Sequence, residues 1–316
     1  MSLFSRIIVL SNSRTAGRGM TSLLEQSSEH IKPSNHNSAE QSETPFLIIR
    51  STRGFAPINV LELWLYRDLL ITLAVRDIKI RYKQTALGVV WVILQPLLAA
   101  GIFSFVFGRV AKMPTDGVPT FIFSYAGLLG WGLFSNTLTR TSACLIGNAN
   151  LISKVFFPRL TLPLSTLGSV LVDSGVAAAM MGIIMLISGI APRWPLLTLP
   201  VWTLLLLICS LGCGLWAAAL TVSYRDVQYV LPVVIQLGLY ASPVAYSIVA
   251  VPERYRTLYY LNPLAGLMDA FRWSILGSTH VPELWPLAYS AVISVGVMIF
   301  GAAVFKKMER KFADVI

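Results

Sequence analysis

Residues 86–108 read ALGVVWVILQPLLAAGIFSFVFG, a run of 23 residues with no charged side chain. A bilayer's hydrocarbon core is about 30 Å thick, and a helix rising about 1.5 Å per residue needs about 20 apolar residues to cross it. Five more stretches of this kind follow, at 119–139, 160–188, 197–221, 229–250 and 286–305. They predict an all-α integral membrane protein with six transmembrane helices. Pro96, Pro163, Pro232 and Pro243 fall inside these stretches, where neighbouring helices can satisfy the carbonyls that proline frees.

Composition agrees. Hydrophobic residues make up 55% of the chain and charged residues 13%, against about 25% charged in a soluble domain. The net charge of +10 does not mark a nucleic-acid binder, because the basic residues form no single patch. They flank the apolar stretches, where they fix orientation. Arg76, Lys79, Arg81, Lys83, Arg140, Lys154, Arg159, Arg225 and the Lys306–Lys311 group collect on one side. Arg109, Lys112, Arg193, Arg254, Arg256 and Arg272 collect on the other. The first set is the larger, which places both termini in the cytoplasm. Cys144, Cys209 and Cys213 have neither a disulfide framework nor metal-ligand spacing.

Residues 1–45 are rich in Ser, Asn, Glu, Gln and Thr and read as a disordered cytoplasmic tail. Residues 46–85 form the next segment. Asn59 and Glu62 are a plausible capping pair there, and the helix predicted over 59–84 has a basic face and a Trp/Leu face. Such a helix lies in the headgroup plane. Residues 86–316 are the transmembrane domain. Within it, 251–285 is too polar to span and too apolar to be a free loop. Asn262-Pro263 is a helix start and Gly277 a stop, so a short re-entrant or surface helix is expected over 263–276.

The chemistry of most enzymes is absent from the sequence. There is no GxxxxGK[ST], HExxH or GxSxG pattern. Asp173 is the one acidic residue inside the predicted spans. A charge there costs roughly 2.5–3.5 kcal/mol on insertion scales, so it must face protein or water. Pairing with a neighbouring helix is its first reading, and a place on a transport path its second. The chain thus has the build of a transporter without a source of energy, which a partner would supply. The loop 140–159, RTSACLIGNANLISKVFFPR, is the natural docking point. Leu145, Ile146, Leu151 and Ile152 would give its short helix an apolar face.

Several motifs occur in a fixed order. Residues 76–88 read RDIKIRYKQTALG and lead into Trp91 and Leu94-Gln95-Pro96. Gly147-Asn148-Ala149-Asn150-Leu151-Ile152 is followed by Lys154 and Phe157-Pro158-Arg159. Tyr224-Arg225-Asp226-Val227, Asn262-Pro263, Phe271-Arg272 and Phe312-Ala313-Asp314 come later. From about Leu47 onward the chain resembles the ABC-2 type permeases that export polysaccharides such as O-antigen, capsule or teichoic acid.

The resemblance implies a homodimer in the bacterial inner membrane, working with two copies of a separate ATPase. ATP and Mg would bind that ATPase, and this chain would hold no cofactor. The substrate implied is a lipid-linked polysaccharide. Asn148, Ala149, Asn150, Leu151, Ile152 and Lys154 would form the coupling helix on the ATPase. Arg76, Asp77, Arg81, Tyr82, Tyr224, Arg225 and Asp226 would form the cytoplasmic interface and gate. Asn262, Pro263, Phe271 and Arg272 would belong to an exit gate.

A sugar chain needs a wide path, and a two-fold dimer supplies one at its interface. Trp131, Phe134, Tyr240, Tyr246 and Asp173 are candidates to line it, the aromatics by stacking on sugar CH faces. The alternatives are an ABC-2 permease for a small lipid or drug, or a membrane-embedded glycosyl or acyl transferase. The Arg76–Tyr82 run speaks against the former. The lack of paired carboxylates or a membrane-face histidine speaks against the latter.

Overall fold

The structure is a computed structural model that describes residues 60–83, 88–115, 117–277 and 281–315. All of these belong to the unit Thr52–Ile316. The predicted tail 1–45, the Asn59 cap and the 84–87 part of the opening motif lie outside the described residues. Among the described residues there are helices and no strands.

The helix predicted over 59–84 is two pieces, α1 (Val60–Leu65) and α2 (Arg67–Lys83), with Tyr66 in a turn between them. Leu70 N–H donates to the Tyr66 carbonyl at 3.0 Å and starts the second piece. α3 (Gly88–Phe103) continues as a π-helical stretch, Ser104–Val110, and ends where Lys112 takes a φ of 49°. α4 (Thr120–Gly147) is 28 residues long, about 42 Å at 1.5 Å per residue. It runs two turns past the predicted end at 139, so the first part of the expected 140–159 loop is helix. α5 (Ala149–Lys154), α6 (Thr161–Ile187) and α7 (Leu199–Ser223) follow, with a 3₁₀ turn at Trp194–Thr198 leading into α7.

The predicted span 229–250 does not form as one helix. α8 covers Val227–Ala241, only 15 residues. Pro243 is the cause: proline drives the residue before it out of the helical region, and Ser242 sits at φ −113°, ψ 152°. A 3₁₀ turn, Ile248–Ala250, is all the helix that remains of the predicted span beyond the break. α9 (Glu253–Tyr259), α10 (Pro263–Leu276) and α11 (Leu284–Val315) complete the chain. α10 has its expected ends. Asn262 accepts from Leu264 N–H at 3.0 Å, and Gly277 closes the helix at φ 57° with its N–H on the Trp273 carbonyl.

Among the described residues, four stretches are long and apolar enough to cross a membrane: Val90–Val110, Thr161–Ile187, Trp194–Ser223 and Leu284–Glu309. α4 is long but more polar, and α8 is apolar but short. The explanation for α4 is burial. It packs against α3, α6, α7, α8 and α10, so most of its polar residues are turned toward protein, Asn136 and Thr139 being exposed. Tyr125 Oη donates to the Ala177 carbonyl at 3.1 Å, and Thr137 Oγ1 to the Leu133 carbonyl at 2.7 Å.

α7 packs between α4 and α11. The closest approach is at Gly301, where an added Cβ would stand 2.0 Å from the Gly212 carbonyl oxygen. Only glycine permits that contact, as is common where membrane helices meet. Among the described residues, two large hydrophobic clusters fill the bundle, and a small third one joins Ile248, Tyr260 and Ala265. The larger holds Phe123, Tyr125, Leu133, Val170, Leu206, Leu267 and Phe271. The second gathers Leu73, Leu145, Ile152, Phe157, Leu215, Phe305 and Phe312. It lies at the end carrying α2, α5 and the basic C-terminal part of α11, here termed the basic end.

Candidate functional site

At the basic end a chain of polar contacts joins three parts of the sequence. Asn148 stands at the corner between α4 and α5. Its Nδ2 donates to the Cys144 carbonyl at 2.8 Å, closing the end of α4. Its Oδ1 accepts from Arg76 Nη2 of α2 at 2.8 Å. Arg76 also donates to Asp77 Oδ1, at 3.0 Å from Nε and 2.8 Å from Nη2. Ala149, Asn150, Leu151, Ile152 and Lys154 form the six-residue α5 with Ser153.

The apolar face expected of this helix is largely spent inside the protein. Leu145 and Ile152 are buried in the second cluster, and Leu151 packs against it. The apolar groups left outside are Ile146, Val155 and above all Phe156, which is 68% exposed. Beside them a cleft of about 280 Å³ is lined by residues 152–157 and Arg159. Arg159 N–H donates to Glu309 Oε1 at 3.3 Å, and Glu309 pairs with Lys306 at 2.6 Å. The turn after α5 is therefore tied to α11.

One layer further in lies Asp173 of α6, only 5% exposed. Its Oδ1 accepts from the Tyr82 hydroxyl of α2, and its Oδ2 from Arg140 of α4. Arg81 Nη2 of α2 lies 3.0 Å from the same Oδ2. Arg140 Nη1 donates to Ser169 Oγ at 2.6 Å. Partial burial, then the bond to Asp173, push the Tyr82 phenol up to about 12.

Arg140 is 20 residues into α4, about 30 Å from its start. Asp173, by contrast, stands near the middle of α6, where it meets Tyr82, Arg81 and Arg140. Asp173 is thus placed in an interhelical ion pair. Arg76, Asp77, Arg81 and Tyr82 come together with Asn148 and Asp173, whereas Tyr224, Arg225 and Asp226 stand exposed on the α7–α8 turn.

At the other end, Arg272 organises the break after α8. It is 2% exposed. Its Nη2 lies 3.0 Å from Asp269 Oδ1, and its Nη1 donates to the carbonyls of Pro243 at 2.7 Å and Tyr246 at 3.3 Å. The guanidinium also stacks over Phe123, 4.1 Å from the ring centroid. Carbonyls stranded by the break are satisfied in this way, as irregular backbone inside a membrane protein requires. Asn262 adds bonds to the Ala241 carbonyl at 3.2 Å and Ser242 Oγ at 3.1 Å. Pro263 occupies the first turn of α10. Phe271 packs on α4 at Gly130, where a Cβ would come within 2.8 Å of its ring.

The candidate lining residues divide. Trp131 and Phe134 are buried in the larger cluster, with ring centroids 5.5 Å apart. Tyr240 is 57% exposed. The Tyr246 hydroxyl lies 2.6 Å from that of Tyr259 and 3.2 Å from the Tyr240 carbonyl.

Arg140, Ser169, Asp269 and Tyr259 were not singled out as site residues from the sequence. A signal existed for two of them. Asp269 and Arg272 are three apart on a helix, the spacing that brings side chains together. Arg140 is the basic residue next to an apolar run in a chain whose spans hold a single acid.

Residues 68–276 match the family described as ABC-2 type transporter. The chain belongs to the ABC-2 type transporter family. The match starts in the first turn of α2 and stops at the last residue of α10, so both polar clusters of this ABC-2 chain lie inside it.

Among similar proteins, the O-antigen export system permease protein RfbA of Myxococcus xanthus is 30% identical over 259 residues, covering 81% of this chain and 98% of the relative. A protein of the same name from Klebsiella pneumoniae is 27% identical over 251 residues, covering 79% and 95%. The polysialic acid transport protein KpsM of Escherichia coli is 25% identical over 248 residues, covering 75% and 92%. The ABC-2 chain therefore matches these relatives over nearly their whole length.

Proposed function

We propose that the chain is the membrane-spanning permease subunit of an ATP-driven exporter that carries lipid-linked polysaccharide, of the O-antigen or capsule kind, across the bacterial inner membrane. The observation that carries this reading is the near full-length similarity to permeases named for O-antigen export and polysialic acid transport. Two copies of the chain would form the conduit, with two copies of a separate ATPase binding ATP and Mg. Both termini and the basic end face the cytoplasm in this reading, because cytoplasmic flanks carry the excess of Lys and Arg.

The α4–α5 corner and the turn after α5 would be the contact with the ATPase. The exposed Phe156 would enter a groove on that partner, while the bonds from Asn148 to Arg76 and from Arg159 to Glu309 carry motion into α2 and α11. Tyr240 and Tyr246, beside the α8 break, are the better placed aromatics for contact with sugar. Trp131 and Phe134 support them from inside the bundle.

Deleting the gene tests the reading. Export by this chain requires that lipid-linked polymer accumulates inside the cell while surface polysaccharide falls. Unchanged surface polysaccharide with no intracellular polymer would overturn it.

A further inference from the structure

The turn after α5 holds a guanidinium group that no described residue pairs. Arg159 lines the cleft of about 280 Å³ beside Phe156. The residue is half-buried. Its Nη1 is buried, yet it meets no hydrogen-bond partner among the described residues. The carboxylate beside it is already engaged: Glu309 Oε1 accepts the Arg159 backbone N–H at 3.3 Å, and Oε2 lies 2.6 Å from Lys306. Lys154, exposed, lines the same cleft. No acidic residue is among the described ones that line it.

A buried charged donor left without an acceptor destabilises the chain that carries it. A partner that supplies the acceptor removes that cost. The turn is also held in shape before any partner arrives. Phe157 is anchored in the second hydrophobic cluster, and the Arg159 N–H is tied to α11. Little ordering is therefore lost on binding. Arg159 stands two residues before the apolar stretch Thr161–Ile187, and it bonds to Glu309, the last residue of the stretch Leu284–Glu309. The cleft is thus at the ends of two spans, where a water-soluble partner can reach it.

The planar fork of a guanidinium group matches a carboxylate through two parallel hydrogen bonds. An arginine beside an exposed aromatic ring is also the composition of a protein interface hot spot. We propose that the Arg159 cleft receives an aspartate or glutamate side chain of the ATPase, with Lys154 adding a second positive charge and Phe156 the apolar contact beside it. The proposal rests on the export reading, which supplies the ATPase. Because Arg159 leads directly into α6 and its N–H is held by Glu309, a carboxylate seated on it would act on α6 and α11 together.

The test uses the full chain in phosphatidylcholine nanodiscs and its purified ATPase, with affinity measured over a series of salt concentrations. Arg159→Gln is expected to weaken binding about tenfold, the loss of one charge-assisted contact. Its affinity should also fall less steeply with salt than that of the parent. Arg159→Lys should keep most of the affinity. The melting temperature of Arg159→Gln alone should equal or exceed that of the parent, because the substitution removes an unpaired buried donor. Arg159→Glu should abolish binding, and one Asp→Arg or Glu→Arg substitution on the ATPase should restore it. Should Arg159→Glu fail to fold, the Arg159→Gln salt series decides alone.

Unchanged ATPase affinity in Arg159→Gln would overturn the proposal. So would a folded Arg159→Glu chain that no acidic-to-arginine substitution on the ATPase rescues. A melting temperature that falls along with affinity in Arg159→Gln would make Arg159 a structural residue and overturn it as well. Loss of phosphatidylglycerol retention in Arg159→Gln, with ATPase affinity intact, would assign the cleft to a lipid head group instead. A parent chain that binds the ATPase as tightly as Arg159→Gln does defeats this cleft and not the export reading. A parent chain that binds no ATPase at any salt concentration defeats the export reading itself.

Discussion

Asn148 accepts a hydrogen bond from Arg76 across 2.8 Å, although 72 residues separate them in sequence. The same amide caps α4 through the Cys144 carbonyl. One side chain thus ends a helix and ties the corner beyond it to α2. From α2 the connection continues through Arg81 and Tyr82 to Asp173. This gives a continuous set of contacts from the α4–α5 corner into the bundle.

Asn148→Ala removes both bonds, at a cost of about 1–2 kcal/mol. Because the amide faces α2 and not the outside, the expected defect is in transmission. The variant should still capture the ATPase in a pull-down while exporting less polymer per ATP hydrolysed. Normal export would show that the Arg76 link carries nothing.

Phe156→Ser is expected to do the reverse. The ring is 68% exposed, so its loss should leave the melting temperature within about 1 °C of the parent, as surface changes usually do. Capture of the ATPase should fall severalfold. Co-purification of the two subunits at fixed expression measures this.

Arg272 and Asp269 form a buried pair that holds the α8 break. Arg272→Ala takes the guanidinium away from a buried carboxylate and two carbonyls, and breaking such a pair costs about 3–5 kcal/mol. The expected result is a large drop in thermal stability in detergent. Arg272→Met with Asp269→Leu should recover part of it, because the buried carboxylate is gone as well. A double substitution no better than Arg272→Ala would mean that the carbonyl bonds matter more than the charge.

Tyr82 titrates late, at about 12, and its unfolded phenol at 10.0. A raised value means that the folded chain holds the proton more tightly. The associated stability is complete below pH 10, declines as pH rises toward 12, and is lost above it. Thermal denaturation across that window should show the decline, and Tyr82→Phe should flatten it by the share that this phenol contributes.

Much of the fold was legible because a membrane imposes a length on each apolar stretch. The stretches 160–188 and 197–221 lie within two residues of α6 and α7 at each end. α10 was readable to the residue, since Asn262, Pro263 and Gly277 each act locally on the backbone. The fifth stretch was misjudged because hydropathy is blind to what Pro243 does to Ser242. α4 was cut short at 139 because Arg140 looks like the end of a span, whereas its charge is met by Asp173 from another helix.

The same limit applied to the sites. Asp173 was conspicuous as a lone acid, but its partners lie 33 and 92 residues away at Arg140 and Arg81, and no sequence spacing announces them. The apolar face read into 145–152 was real, but tertiary packing turned Leu145 and Ile152 inward.

The most direct measurement is transport in vesicles rebuilt from the purified chain, its ATPase and a lipid-linked polysaccharide of the native host. Polymer should move across the bilayer when ATP and Mg are supplied on the side that binds the ATPase. Movement should cease when either protein or ATP is left out. Translocation driven by a proton gradient without ATPase, or none with the complete set, would contradict an ATP-driven export permease.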